Sequence, residues 1–228
     1  MLIYEKLPLT FDIEKLKRHL HEVVLPIGNK IFQIEGGFGG WSVQSNTGRW
    51  QDGWEAGQQC FNEDGTFDYA KAKELNVLPD IFHDTPTEIC TGYLSEIIQQ
   101  IHWLGFFPRR ARISELPSNS KSTMHRDGKS DIYVARIHIP IITNEQCIHT
   151  IYDNEQNVSN RLYLPADGSS YIVAVNNLHR VSNNSTEARY HLMMNVWDTK
   201  GVTKTFRFHN MNTVEERAKK YMENIAKV

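Results

Sequence analysis

His125 and Asp127 stand two residues apart in "STMHRDGKSD", a stretch with little apolar character of its own. A His-x-Asp pair supplies two of the three ligands of a 2-His-1-carboxylate metal face. A polar turn that happens to contain a histidine looks the same, and a chain with ten histidines and 27 acidic residues carries such a pair by chance. The pair gains meaning only from what comes near it. His179 directly follows the apolar run "SSYIVAVN", and Arg189 lies ten residues further on. A strand, a turn and a returning strand bring that arginine back toward the histidine. Two neutral imidazoles and one carboxylate on one face of a metal leave its other positions for a bidentate 2-oxo acid and dioxygen. The far carboxylate of such an acid needs a planar, permanently charged anchor, a task that suits Arg189 better than a lysine.

The elements that would position these residues are short β-type runs: "RARISEL", "IYVARIHIPII", "CIHTIYD", "RLYLPA", "SSYIVAVN" and "YHLMMNVWD". Close spacing with little helix between them predicts an antiparallel sandwich or barrel. Alternate residues of a strand share a face. Tyr133, Ala135, Ile137 and Ile139 therefore oppose Val134, Arg136 and His138, and Tyr190, Leu192, Met194 and Val196 oppose Arg189, His191, Met193 and Asn195. Two strands thus each carry an apolar face opposite an Arg- and His-bearing one. That second face either meets water or lines a lumen. Its Arg and His sit beside Val, Met and Asn rather than Lys, Glu and Ser, which favours the lumen.

The first half of the chain reads as helices and loops. "TFDIEKLKRHLHEVV" opens with Thr10 or Asp12 as cap and sets Ile13, Leu16, Leu20 and Val24 at helical spacing. "TPTEICTGYLSEIIQQIHWLG" predicts a second helix capped by Thr87 and stopped at Gly105. Between them Trp41, Trp50 and Trp54 lie in a Gly-rich segment that is either a lid over a pocket or part of the core. A polar C-terminal helix capped by Asn212 or Thr213 follows the strands.

With 228 residues, 40% of them hydrophobic and 23% charged, the chain fits one large domain with a real core. A net charge of −2 gives no electrostatic reason to expect nucleic acid or an anionic membrane as partner. Arg109, Arg110 and Arg112, the one basic cluster, read as a solvated strand start. Cys60, Cys90 and Cys147 are far apart without a Cys-x-x-Cys, so reduced cytoplasmic thiols are expected. Neither a signal-peptide run nor a stretch of membrane-spanning length is present. His19, His21, His83, His102, His149 and His209 read as surface or ordinary packing residues. Asn176, Asn177 and Asn183 read as turn or supporting hydrogen-bonding groups.

"RISELPSNSKSTMHRDGKSD", "RIHIPI" and "NNLHRVSNNSTEARYHLMMNVWD" together resemble the aspartyl/asparaginyl β-hydroxylase family of Fe(II)- and 2-oxoglutarate-dependent oxygenases. Arg112, Leu116 and Pro117 lead into His125-x-Asp127, followed by Arg136-x-His138, His179-x-Val181-x-Asn183, and Arg189 with Leu192. The resemblance covers about residues 110 to 198. It implies a double-stranded β-helix core within a mainly β fold with flanking helices. It implies His125, Asp127 and His179 as iron ligands, Arg189 as anchor of the far 2-oxoglutarate carboxylate, and Arg136 and His138 as further cosubstrate contacts. The chain would then be one oxygenase domain over 1–228. A helical and loop part occupies 1–108, the β-helix core with its metal site 109–200, and an extension with a helix 201–228.

The resemblance implies Fe(II), 2-oxoglutarate and O2, with succinate and CO2 as products. Related halogenases put Gly or Ala where Asp127 stands, so the expected outcome is hydroxylation of an unactivated C–H. The expected substrate is a small, amino-acid-like molecule, with a residue of a peptide or protein as the alternative. A halogenase or desaturase, a cupin, and a metal-free β-sandwich binding module are the competing classes.

Overall fold

The computed structural model describes residues 3–28, 38–53, 60, 62, 67–78, 80–127, 135–153, 158–175, 177–198 and 219–228. Trp54, Gly128, Tyr133, Val134, Asn176, His209, Asn212 and Thr213 lie outside the described residues.

Two antiparallel sheets carry the fold. The larger joins β1 (Tyr4–Thr10), β2 (Gly39–Ser42), β5 (Phe106–Leu116), β7 (Ala135–Ile142), β10 (Ser169–Val173) and β12 (Arg189–Asp198) in the order β1-β10-β7-β12-β5-β2. The smaller joins β6 (Ser120–Lys121), β8 (Cys147–Asp153), β9 (Val158–Leu162) and β11 (His179–Asn183) in the order β6-β11-β8-β9. A two-stranded pair, β3 (Gln44–Ser45) with β4 (Thr85–Pro86), stands apart. This is the antiparallel, mainly β arrangement that the short alternating runs predict, in the double-stranded β-helix class that the resemblance implies.

Both faces of the larger sheet are buried, each by a different partner. Ile137, Ile139, Ile172, Leu192, Met194 and Val196 pack on one side against helix residues Leu16, Leu20, Leu94, Ile97 and Ile101. Those residues come from α1 (Ile13–His19) with its π-helical continuation Leu20–Val24, and, after the short α2 (Tyr69–Glu74), from α3 (Gly92–Leu104). On the other side, Arg136, His138, Arg189, His191 and Asn195 are buried as well. The face is a lumen, enclosed by the smaller sheet.

Asp12 caps α1, its carboxylate accepting from the backbone N–H groups of Glu14 and Lys15. Gly105, at a φ of 118°, ends α3. Thr87 is not the cap of α3: Thr91 stands at that position, and the Thr87 hydroxyl donates to the Ser42 carbonyl at 2.7 Å. A carbonyl at the end of β2 has captured the side chain and the helix begins later.

The N-terminal part also contributes strands that its sequence pattern hides. β1 buries one residue, Leu7, and carries Pro8, as an edge strand does, so its alternation rests on too few apolar residues to stand out. β2 is Gly-rich because it runs against β5 so closely that a Cβ on Gly40 would strike the Ile113 carbonyl. Trp41 is buried in the helix-side core and Trp50 packs on it, so these two are core residues. Arg110 and Arg112 are buried, which corrects their reading as a solvated cluster: β5 is an inner strand between β12 and β2. At the C-terminus, Tyr221 packs on the rings of Phe67, Tyr69 and Phe82. Among the described residues no helix is long and apolar enough to cross a membrane.

Ile137 lies fully buried on the central strand β7, facing the helices. Ile137→Ala should lower the free energy of unfolding by about 3 kcal/mol, measured in urea.

Candidate active site

The approach of His125 to His179 is set by the main chain. The His125 N–H donates to the His179 carbonyl at 2.9 Å, and the His179 N–H returns to His125 at 2.8 Å. The segment before His125 is already in register, because β6 pairs with β11 and the Ser122 N–H donates to Val181. After it, the Asp127 N–H donates to Val175 at 3.0 Å. Three residues from two distant segments are thereby held at neighbouring ladder positions.

Each imidazole is then fixed by its own backbone. Nδ1 of His125 lies 2.8 Å from the Thr123 carbonyl, and Nδ1 of His179 lies 2.9 Å from the Asn177 carbonyl. A carbonyl only accepts, so each ring carries a proton on Nδ1, and in its neutral form presents an Nε2 lone pair. Those lone pairs converge on Asp127, at 3.5 Å from Oδ1 for His125 and 3.8 Å from Oδ2 for His179. Burial lowers the His179 pKa to about 4, with Asp127 opposing and His125 and Arg136 adding to the fall. Burial alone would raise the Asp127 carboxyl. The charges of Arg136, His179, His125 and Arg112 overcome it and bring the group down to about 2.

Deeper in the lumen, the paired strands set the order of side chains. On β7 and β12, Arg136 faces Asn195, His138 faces Met193, and His191 follows opposite Pro140. On the smaller sheet, His179 pairs with Ile151, Val181 with His149, and Asn183 with Cys147. Arg136 forms an ion pair with Asp127 at 2.7 Å and donates from Nε to Asn195 Oδ1 at 2.9 Å. Arg189 is 1% exposed, and none of its three guanidinium nitrogens has a hydrogen-bond partner among the described residues. Burial pulls it down to about 10, with Cys147 opposing, so it remains a cation at neutral pH.

Asn183 builds the far end. Its Nδ2 donates to the carbonyls of Leu116, Pro117 and Glu187, and its Oδ1 accepts from the N–H and hydroxyl of Ser185. Leu116 is the residue paired with Arg189, so this one amide ties the β11–β12 turn to the strand beside the arginine.

The sequence-based site residues are thus brought to one lumen in two groups, His125, Asp127, His179 and Arg136 at one end and His138 and Arg189 deeper in. Arg136 stands against Asp127, and Arg189 stands alone. His191, on the lumen face by alternation, is buried there. His149 was missed: it is 4% exposed and its ring centroid lies 5.0 Å from that of His138, so it is no ordinary packing residue. The alternation in "CIHTIYD" already places it on the buried face with Cys147 and Ile151. His19 and His83 are packing residues, bonded to the carbonyls of Ile89 and Leu78.

Among the described residues, two sets of side chains bring three ligand atoms within 4.8 Å of one another: His125, Asp127 and His179, and separately His138, His149 and His191. The first joins two deprotonated Nε2 atoms, oriented by backbone acceptors, to a carboxylate. That is the donor set and outer support a divalent iron takes. The partnerless Arg189 guanidinium meets the second requirement, since a buried cation calls for an anion. The residues fit both an iron and a dicarboxylic cosubstrate.

No curated protein matches the chain. Among solved structures it is similar to a 2OG-Fe(II) oxygenase family oxidoreductase from Burkholderia pseudomallei, at 17% identity over 46% of this chain and 58% of that one, with a TM-score of 0.39. The chain therefore spans less than two thirds of that protein's length. A prolyl-4-hydroxylase from Pseudomonas putida matches at 12% identity over 85% and 91% of the two chains, with a TM-score of 0.43. The viral collagen prolyl hydroxylase of Paramecium Bursaria Chlorella virus-1 matches at 9% identity over 86% and 96%, with a TM-score of 0.42. A family model described as aspartyl/asparaginyl β-hydroxylase matches residues 83–199, more than half of the sequence and every residue of the site. The chain belongs to the aspartyl/asparaginyl β-hydroxylase family.

Proposed function

We propose that this protein is an Fe(II)- and 2-oxoglutarate-dependent dioxygenase that hydroxylates an unactivated C–H of an amino acid or amino-acid-like substrate, releasing succinate and CO2. His125, Asp127 and His179 hold the iron, and Arg189 holds the far carboxylate of 2-oxoglutarate. The observation that carries this is the Arg189 guanidinium, fully buried in the lumen and without a partner among the described residues. A metal-free binding module has no use for such a charge beside two oriented imidazoles and a carboxylate. Free thiols, with no disulfide among the described residues, suit a cytoplasmic setting.

Bound iron and 2-oxoglutarate supply the activation of O2 and the breaking of the C–H bond. The chain's own residues orient and exclude. Thr123 and Asn177 keep the two Nε2 lone pairs free for the metal. Arg136, itself held by Asn195, fixes the Asp127 carboxylate and keeps it ionised. Buried lumen walls keep water from the cosubstrate. Asp127 argues against halogenation, which needs its place for a halide. The family's description favours one second reading, an aspartyl or asparaginyl residue within a peptide as substrate.

Succinate release from 2-oxoglutarate under air with Fe(II), run against free amino acids, acylated amino acids and short peptides, tests the activity and separates the two substrate readings. Stimulation by one class should stand well above the uncoupled background; none from folded, iron-loaded protein would refute the proposal. His125→Ala and His179→Ala should abolish turnover and weaken Mn(II) binding by more than about 100-fold, the upper range for loss of a mere supporting contact. Arg189→Ala should raise the half-saturating 2-oxoglutarate concentration about 100-fold through loss of charge-assisted hydrogen bonds, with little change for the substrate.

A further inference from the structure

Three imidazoles stand along the lumen between the triad and Arg189. His138 comes from β7, His191 from β12, and His149 faces them from β8 in the other sheet. Their ring centroids are 5.0, 5.7 and 5.8 Å apart, and all three rings are buried. Burial, then the neighbouring histidines and arginines, hold His138 well below its usual pKa. Burial and then Arg189 lead for His149 and His191, so all three rings are neutral. None of their Nε2 atoms has a hydrogen-bond partner among the described residues.

Nδ1 of His191 lies 3.4 Å from Nδ1 of His138. A neutral imidazole has a single N–H. One ring of the pair therefore donates through Nδ1 and offers its Nε2 as an acceptor. The other accepts at Nδ1 and carries its proton on Nε2. Wherever the shared proton lies, the pair offers one N–H donor and one acceptor at Nε2. His149 adds a third ring across the lumen. Arg189 and His191 share a strand face, and Cys147 and His149 share the facing one.

A metal ion is the rival occupant, and the geometry speaks against it. Ligation by Nε2 of both His138 and His191 would set two Nδ1–H groups against each other. Ligation through Nδ1 would leave buried Nε2–H groups without acceptors, where ligating histidines normally have one. Either way the cation would sit near the uncompensated Arg189, with no carboxylate in the set.

We infer that His149 and His191, together with His138, complete the Arg189 cradle for the far end of the 2-oxo acid and set the length of diacid accepted. This rests on the function proposed above. A guanidinium fixes a carboxylate in its plane, while ring N–H groups from two sheets fix its depth. One further methylene would carry the carboxylate out of register with the rings and the guanidinium together.

The test is calorimetric binding of 2-oxoglutarate and 2-oxoadipate to Mn(II)-loaded protein without O2, with thermal unfolding as the fold check. Wild type should prefer 2-oxoglutarate. His149→Leu and His191→Leu should each weaken it about tenfold, the loss expected for one hydrogen bond, and narrow the preference over 2-oxoadipate. His149→Gln and His191→Gln, which restore a donor, should recover most of the affinity and serve if a Leu variant misfolds. If wild type binds 2-oxoglutarate and all four variants match it, this inference alone falls. If wild type binds none, the proposed function falls and takes the inference with it. A second Mn(II) or Zn(II) per chain, lost in His149→Leu, would make the cluster a metal site and overturn the inference.

Discussion

Two backbone hydrogen bonds, exchanged between His125 and His179, are what the site depends on. The two residues are far apart in sequence, and neither side chain fixes the other. The antiparallel ladder does so, running along β11 from β6 through Ser122 to His125, with Asp127 held beyond it to Val175. Because side chains alternate with period two, a slip of one residue would turn both imidazoles away from the lumen. The carbonyls that orient them, Thr123 and Asn177, each lie two residues before their histidine, so the same register that places a ring also selects its tautomer.

Charge is distributed along the lumen by depth. At the end that holds His125 and His179, Asp127 and Arg136 compensate one another, and the neighbouring cations keep the carboxylate ionised despite burial. Midway, three imidazoles remain neutral, adding polarity without charge. At the far end Arg189 keeps its charge with no hydrogen-bond partner among the described residues. Removing an arginine from water without an anion is costly, and a fold that retains one is incomplete without its ligand. Asn183 stiffens that end. Its three carbonyl acceptors span the end of β5 and the β11–β12 turn, which holds the strand beside Arg189 in place.

Much of this was legible in the residues. The alternation in "YHLMMNVWD" separates Leu192, Met194 and Val196, which meet the helices, from His191, Met193 and Asn195, which meet the lumen. The start of α1 at Asp12 and the stop of α3 at Gly105 follow from cap and glycine chemistry. What escaped did so for identifiable reasons. β1 buries a single residue as an edge strand, and β2 is spelled in glycines by close backbone approach. Arg110 and Arg112 looked solvated because a charged pair on an inner strand differs from one on an edge only through its neighbours in the sheet.

The sequence by itself determined the chemistry available and the face each side chain occupies, because face assignment needs only the local period of a strand. It was enough to set His125, Asp127, His179 and Arg189 apart from the other titratable groups. The tertiary structure alone decided who meets whom. It gave Arg136 to Asp127, left Arg189 without a partner among the described residues, and drew His149 from β8 to complete a ring of imidazoles. Those pairings come from the register between strands remote in the chain and from the stacking of two sheets, and neither is written in the period of any single strand.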